Sequence, residues 1–414
     1  MEKILSSLIN YNYESSFKWK IQKDINYIQV LIDKELNDKA QKYLIRAKKN
    51  AYLYEEYELL LQIISLEISL CFNHCFILNY DYLKTLKEER EKINIIIDNL
   101  NNLLTIKAEL QQFQFNENTY NFDDKKFIET YGHSAIMPEN EVLSVKAKSV
   151  WLYINAIIYF IQNEFQKGYE IQMKQYELYK SNPIFFSRDE YFQLMNNLLY
   201  CCSLIKNVEM FNYIMNEFIN IKNKTKEETI YITKGKYYRT LALFHQTGQY
   251  KEAEKLAIEA EDYFERNNLS IDRVQNILLC FTIARAYIDN NNFDAANRIS
   301  QKRFKITRFE MNSSMFKLFE FIAHYKLNNF DSLIYSVDSW AKTIRSKRKQ
   351  FPIEKVLIKF FRSVCNKNNI TEKKNLITNT IIQLKKLENS EQKYYINHFF
   401  DFAAWFEKEL VEIK

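Results

Sequence analysis

Apolar residues between Tyr237 and Phe264 recur with helical spacing on both sides of a short polar turn. Tyr237, Leu241 and Phe244 fall on one helix face, and the turn Thr247-Gly248-Gln249 follows them. The next helix carries a stripe of small residues, Ala253, Ala257 and Ala260. Small side chains let two helix backbones approach closely, so this stretch predicts an α-helical hairpin that stacks on neighbouring hairpins.

The turn of this hairpin, a polar pair followed by an aromatic residue, recurs along the chain. Successive copies end at Phe165, Val208, Tyr250, Phe293 and Phe330, with Val208 in a weaker copy. They are separated by 43, 42, 43 and 37 residues. This period exceeds the about 34 residues of a standard tetratricopeptide repeat and falls within the range of other helical-repeat arrays. The spacing predicts a run of consecutive hairpins.

The N-terminal part shows a related pattern before the regular repeats begin. Residues 17–75 predict a further hairpin with a turn at 35–38, followed by a third helix over 54–71. The two stripes of the hairpin are Ile21, Ile25, Ile28 and Ile32, and Ala40, Leu44 and Ala47. Residues 80–115 predict one or two long helices. Their expected core residues are Leu86, Ile93, Ile96, Leu100, Leu103 and Leu104.

Residues 116–140 interrupt the helical pattern, because they contain Gly132 and Pro138 and show no clean period. They predict an ordered loop or a domain boundary. Thr371 is the predicted N-cap of a helix near the end of the repeats. The predicted organisation is N-terminal helical hairpins over 1–115, the loop or boundary over 116–140, repeats over 141–387 and a C-terminal capping helix within 388–414. Such a cap would cover the exposed last repeat.

Composition supports an all-helical fold. The 414 residues include only 4 glycines and 3 prolines, against about 29 and 20 at average usage. Tight β-hairpins and bulges depend on these residues, so a multi-stranded architecture is disfavoured. Pattern and composition together predict an all-α fold, a right-handed α-α superhelix of TPR-like hairpins (a solenoid).

Charge and cysteine usage indicate a cytoplasmic protein. The net charge of +6 is small for 414 residues and does not by itself require a polyanionic partner. The six cysteines lie inside apolar helical patterns and are interpreted as reduced core residues. The N-terminus shows no signal-peptide pattern, and the most apolar window, residues 150–161, is too short to span a bilayer. No membrane partner is therefore expected.

Three segments carry a more specific resemblance: LIDKELNDKAQKYLIRAKK near the N-terminus, TGQYKEAEKLAIEAEDYF in the repeats, and the terminal motif Asp401-Phe402-Ala403-Ala404-Trp405. Together the sequence resembles bacterial TPR-like (tetratricopeptide-type) helical-repeat proteins of similar length. The terminal Asp-Phe-x-x-Trp is its most distinctive part. Gly168, Gln175 and Leu333 depart from the pattern, since they stand where alanine would be expected. The resemblance implies a fold and a scaffold role, and it assigns no catalytic residue.

Motifs of the common enzyme classes are missing from the sequence. The four glycines never cluster into a phosphate-binding loop, and no H-E-x-x-H, G-x-S-x-G or C-x-x-C occurs. Cys71, His74 and Cys75 share a helix face and would offer three metal ligands, but a closed site needs a fourth. We interpret them as a helix end with buried thiols. His245 and the other histidines have no partner carboxylate at helical spacing in a recognisable motif. No enzyme activity and no cofactor are predicted.

Two basic segments predict the alternative of nucleic-acid binding, because cations interleaved with aromatic residues can follow a phosphate backbone. The cations are Lys302, Arg303, Lys305 and Arg308, and Arg345, Lys347, Arg348 and Lys349. The competing interpretation is a solubilising surface, which the modest net charge favours.

The preferred hypothesis is a non-enzymatic scaffold that binds a protein or peptide in the groove lined by the first helices of the hairpins. Polar residues that break the apolar pattern of these helices are its predicted contacts: Asn155, Asn196, Asn197, Arg239 and Arg285. Asparagine can pair with a peptide backbone through both donor and acceptor, and arginine can hold a carboxylate with two hydrogen bonds.

Overall fold

The structure is a computed structural model. It describes residues 17–73, 80–116, 130, 136–222, 225–267, 274–301, 310–347, 350, 352–365, 369–388 and 400–413. In these ranges the chain forms α-helices and two short 3-10 helices, and no strand. The helices are α1 Phe17–Asp33, α2 Asn37–Leu53, α3 Tyr57–Asn73, α4 Tyr80–Asn116, α5 Val145–Ile161, α6 Phe165–Ser181, α7 Arg188–Leu204, α8 Val208–Ile219, α9 Lys226–Thr247, α10 Tyr250–Arg266, α11 Val274–Asp289, α12 Phe293–Ser300, α13 Glu310–Lys326, α14 Phe330–Lys347, α15 Pro352–Val364, α16 Ile370–Glu388 and α17 Phe402–Glu412. The predicted all-α class is confirmed.

Seven of the helix-to-helix turns in the described ranges share one backbone conformation, and five of them are the copies of the recurring turn in the sequence. A residue in the left-handed region, with φ between 51° and 73°, lies two positions before the second helix. In the turn after α9, the Gln249 amide donates to the Phe244 carbonyl at 2.9 Å, and in the turn after α13 the Asn329 amide donates to the His324 carbonyl at 2.9 Å. This bond closes each helix end in a Schellman motif. The left-handed residues are Glu35, Glu55, Asn163, Lys206, Gly248, Asn291 and Asn328.

The chain divides into two compact units. The first comprises Met1–Glu109, Ser134–Asn155 and Met173–Tyr191, and the second comprises Leu110–His133, Ala156–Gln172 and Phe192–Lys414.

In the first unit, α1 packs against α2 and α3. All four isoleucines of the predicted α1 stripe are buried, as are Ala40, Leu44 and Ala47 of α2. The predicted N-terminal hairpin is therefore confirmed. Residues 80–116 form one continuous helix, and Leu86, Ile93 and Leu103 are buried as expected. Leu104 is 41% exposed, so its predicted core position is wrong.

Residues 136–146, which lead into and begin α5, are held by the side chains of Glu55, Asn99 and Trp151. The carboxylate of Glu55 accepts hydrogen bonds from the Val145 and Lys146 amides at 2.9 and 3.0 Å, capping α5. The Asn99 side chain accepts from the Leu143 amide at 3.2 Å, and Trp151 Nε1 donates to the Met137 carbonyl at 2.8 Å. The described end of the predicted loop is thus ordered by contacts with the first unit's own helices; residues 117–129 and 131–135 lie outside the described part.

In the second unit, α9 to α16 form consecutive hairpins. Each second helix packs against the first helix beside it, and α9, α11, α13 and α15 pack against one another in succession. Ala253, Ala257 and Ala260 are fully buried, which confirms the small-residue stripe of α10. Leu333 occupies the equivalent position of α14 and is also fully buried.

The terminal Asp-Phe-x-x-Trp motif begins α17. The Asp401 carboxylate caps the helix by accepting a hydrogen bond from the Ala404 amide at 2.8 Å. Phe402 and Phe406 are buried, and α17 packs against α16. The predicted last helix begins near residue 390, but residues 389–399 lie outside the described part.

Candidate partner-binding site

Two of the predicted contact residues meet on adjacent helices of the second unit. The Asn196 side chain on α7 accepts a hydrogen bond from Arg239 Nε on α9 at 2.7 Å. Its amide nitrogen donates to the Tyr231 hydroxyl at 3.1 Å. The Arg239 guanidinium carbon lies 5.0 Å from the ring centre of Tyr200 and 4.6 Å from that of Tyr238. We call these five residues the Arg239 cluster, and all of them are half-buried.

The contacts of Arg239 leave its charge uncompensated within the described part of the chain. The Nε atom is engaged by Asn196, whereas no carboxylate of the described residues pairs with the guanidinium. The faces of the two tyrosine rings stabilise the guanidinium through cation–π contacts, and the Asn196 side-chain amide fixes one edge of the guanidinium plane. The two terminal nitrogens form the planar fork that suits a carboxylate. The cluster therefore has the chemistry of a receptor for a single carboxylate.

Gly235 makes room for this arrangement one turn before Arg239. A Cβ at position 235 would lie 2.9 Å from Phe218 Cε1, and 4.0 Å from Asn196 Oδ1. The absence of a side chain thus lets α9 approach α8 and brings its Arg239 face against α7. Nothing in the sequence pattern distinguishes this glycine from the others, because a helical glycine signals close packing only once its neighbours are known.

The other two predicted asparagines differ in accessibility. Asn197, next to Asn196 on α7, is half-buried and its amide forms no hydrogen bond with the described residues. Asn155 belongs to the first unit, where it is 6% exposed and its amide nitrogen donates to the Trp151 carbonyl at 2.9 Å. Asn197 is therefore open to a ligand, while Asn155 serves its own helix.

Arg285, the second predicted arginine, lies in a different environment. Its Nε is 3.5 Å from Asp289 Oδ2 on the same helix, α11. The same carboxylate oxygen lies 2.9 Å from His245 Nδ1 on α9, and His245 Nε2 lies 3.1 Å from the Thr282 carbonyl. Burial, followed by the charge of Arg285, lowers the pKa of His245. These residues join α9 to α11.

The partner of His245 could not be found from helical spacing, because Asp289 lies 44 residues further along the chain. The His245 side chain is only 1% exposed, so a ligand in solution does not reach the imidazole. The His245–Asp289 pair is a structural contact in this arrangement. Since Arg285 shares Asp289 with it, Arg285 is less suited than Arg239 to receive a carboxylate from a partner.

Most of the predicted nucleic-acid contacts lie outside the described residues. This applies to Lys302, Arg303, Lys305, Arg308, Arg348 and Lys349. Lys347 ends α14, and its side chain is likewise outside the described part. Arg345 is exposed on α14. The nucleic-acid hypothesis thus stays a prediction.

The cysteines of the described part are free thiols. Cys201, Cys202 and Cys280 are buried, and burial raises the pKa of Cys202 to about 12. No group of three metal-ligating side chains occurs among the described residues. Of the candidate ligands Cys71, His74 and Cys75, only Cys71 is described.

No protein-family model, curated protein or solved structure matches the chain. No helix in the described ranges has the length and apolar character needed to cross a bilayer.

Proposed function

We propose that the protein is a non-enzymatic scaffold that binds a protein or peptide partner through the Arg239 cluster. The observation that carries this proposal is the half-buried Arg239 guanidinium, which is held by Asn196 and two tyrosines and has no carboxylate partner among the described residues. Removing a cation from water is costly unless an anion compensates it. A partner that supplies a carboxylate recovers this cost.

The proposed architecture is a right-handed TPR-like solenoid. Its support comes from the shared left-handed turns, the repeat steps of 37 to 43 residues and the successive packing of α9, α11, α13 and α15. In helical-repeat proteins the first helices line a concave surface that takes extended peptides or partner helices. Arg239 lies on such a first helix, so the cluster would be part of that surface.

Within this surface we assign different roles to the two helices. Arg239 on α9 takes a carboxylate with its terminal nitrogens. Asn197 on α7 has an amide free of hydrogen bonds with the described residues, and it can pair with a peptide backbone as donor and acceptor. Arg285 contributes less, because Asp289 lies 3.5 Å from its Nε.

The test is affinity capture from a bacterial lysate with the tagged full-length chain, with and without nuclease. We expect a protein partner that resists nuclease and is lost with Arg239→Gln. The matched control is Arg266→Gln, which removes the same charge from an arginine on α10 that is 79% exposed and pairs only with Asp262 on its own helix among the described residues. The control should retain the partner.

Two outcomes would contradict the proposal. Equal capture by wild type and Arg239→Gln would show that the cluster does not bind the partner. Capture of nucleic acid alone, lost on neutralising Arg345, Lys347 and Arg348, would favour the nucleic-acid alternative, whose binding should weaken steeply with salt.

A further inference from the structure

The C-terminal helix α17 packs over several hairpins through its aromatic residues. Phe406 lies edge-to-face on Phe360 of α15, with ring centres 4.6 Å apart. Trp405 meets Tyr325 of α13 in the same way at 6.2 Å. Just before the helix, the ring of Phe400 lies 5.1 Å from that of Phe319 of α13. The apolar side of α17 thus covers the neighbouring helices α13 and α15.

Hydrogen bonds and ion pairs fix the other end of α17. The Glu409 carboxylate accepts hydrogen bonds from the Tyr325 hydroxyl at 3.0 Å and from Lys326 Nζ at 2.6 Å. Lys326 Nζ also lies 2.7 Å from Glu412. Glu409 is only 7% exposed, and the contacts with Tyr325 and Lys326 compensate its charge inside the protein. Together, the α13 and α15 side chains Phe319, Tyr325, Lys326 and Phe360 form what we call the α17 groove.

The contacts of α17 extend further than a cap on the last repeat requires. A terminal cap would rest on α15 and α16. The segment also reaches α11, where the Arg285 guanidinium lies 5.9 Å from the Phe400 ring, and α10, where Lys408 Nζ lies 5.8 Å from the Tyr250 ring. The helix therefore lies across successive hairpins, in the manner of a ligand bound to a helical-repeat array.

The sequence of α17 is suited to reversible docking. Its 11 residues are fewer than the about 12–15 that an isolated helix needs for even marginal stability in water. Its recognition rests on three side chains on one face, namely Phe402, Phe406 and Glu409, at i, i+4 and i+7. In the groove, the Phe360 ring contacts Phe406, and Tyr325 and Lys326 bind the acid; Phe402 is buried and contacts the Phe400 ring of its own segment.

We propose that the α17 groove is a second binding surface, for an amphipathic partner helix that carries two aromatic residues and an acid at i, i+4 and i+7, and that α17 is its internal competitor. This inference extends the proposed protein-binding function to a further site. The occupant is specified by charge complementarity, because Lys326 requires an anion at the position of Glu409, and by the aromatic faces that α17 already covers.

The experiment weakens α17 in the full-length chain and leaves the groove intact. The variant is Phe402→Ser with Phe406→Ser, and the probe is a fluorescent synthetic peptide of residues 400–414, followed by anisotropy. We expect the peptide to bind the double variant at least about tenfold more tightly than it binds wild type, whose groove is filled. Adding Lys326→Met to the double variant should weaken binding, whereas Lys359→Met, at an exposed lysine of α15, should not.

A second measurement covers the case in which the double variant fails to fold. Native-state hydrogen exchange of the wild type should show α17 opening at a lower free energy than α13. Exchange of α17 only through global unfolding would overturn the proposal, as would absence of peptide binding to a folded double variant. Dimers of wild type linked by exchanged α17 helices would assign the groove to a second copy and also overturn it. None of these outcomes depends on Arg239. Failure of the groove proposal can therefore be distinguished from failure of the proposed binding at the Arg239 cluster.

Discussion

The hydrogen bond from Arg239 Nε to Asn196 Oδ1 joins residues that are 43 residues apart, the same distance as one step of the repeat. The two residues are therefore related by the repeat. Asn196 lies on the first helix of one hairpin, and Arg239 lies on the first helix of the next hairpin. Asn196 also donates to Tyr231 at 3.1 Å, so its amide plane has a partner on each side. This fixes the orientation in which Arg239 presents its remaining nitrogens.

Replacing Asn196 by alanine should weaken partner binding although Arg239 is unchanged. Without the amide, Arg239 loses the contact that orients it, and the free energy of unfolding should fall by about 1 kcal/mol. Binding of the captured partner and urea unfolding would be measured together. Asn197→Ala is the control for stability, because that amide has no hydrogen bond with the described residues. Wild-type affinity in Asn196→Ala would show that Arg239 needs no such support.

The turns are predictable from the sequence because their chemistry is local. A left-handed residue followed by a polar residue and an aromatic one suffices to end one helix and begin the next, as at Asn163, Asn291 and Asn328. The long-range contacts are not predictable in this way. Glu55 caps a helix that begins 90 residues later, and His245 finds its carboxylate on another hairpin. Only the packing of helices brings these residues together.

Gly248→Ala should destabilise the protein through the backbone alone. The φ of Gly248 is 73°, which costs an L-residue about 1 kcal/mol, and a Cβ there would meet no atom within 4 Å. Urea unfolding would measure the loss. Gly248→Asn should lose less, because asparagine tolerates this region and occupies the same position at Asn291 and Asn328. Equal losses for alanine and asparagine would show that the left-handed backbone is not the cause.

Gly168→Ala should destabilise the second unit by steric overlap, even though alanine is the better helix former. Its Cβ would lie 2.6 Å from Cε1 of Phe160, a ring that is 7% exposed. Overpacking of this kind costs about 1–3 kcal/mol. The matched test is the double variant with Phe160→Leu, in which the shorter side chain should make Gly168→Ala neutral or favourable. If Gly168→Ala costs as much in the Phe160→Leu background as it does in wild type, the overlap is not the cause.

The cap of α16 differs from the one that the local sequence predicts. Thr371 is the predicted N-cap, but Asn369 fills this role, since its side-chain oxygen accepts from the Thr371 amide at 2.9 Å. Both residue types are good caps, so the sequence alone does not separate them. Asn369→Ala should lower the free energy of unfolding by about 1 kcal/mol, and Thr371→Ala should change it far less. Calorimetry of the two variants measures these losses of stability. A larger loss for Thr371→Ala than for Asn369→Ala would support Thr371 as the cap.

Acid should destabilise the protein through His245. Burial and then the charge of Arg285 lower the folded-state pKa of His245 below 6.5, although Asp289 and the Thr282 carbonyl partly oppose this. The unfolded chain therefore binds a proton at a higher pH than the folded chain does. Stability contributed by neutral His245 is present above pH 6.5, is lost as the pH falls below it, and stops changing below the folded-state pKa.

Urea unfolding at about pH 7.5 and pH 5.5 measures this loss. His245→Gln removes the titrating group, so its stability should depend less on pH than that of wild type. His324 acts in the same direction, because burial lowers its pKa too, and His245→Gln with His324→Gln should flatten the profile further. A profile unchanged by His245→Gln would mean that Asp289 and Thr282 hold the imidazole pKa near its unfolded value, so that the contact between α9 and α11 does not respond to acid.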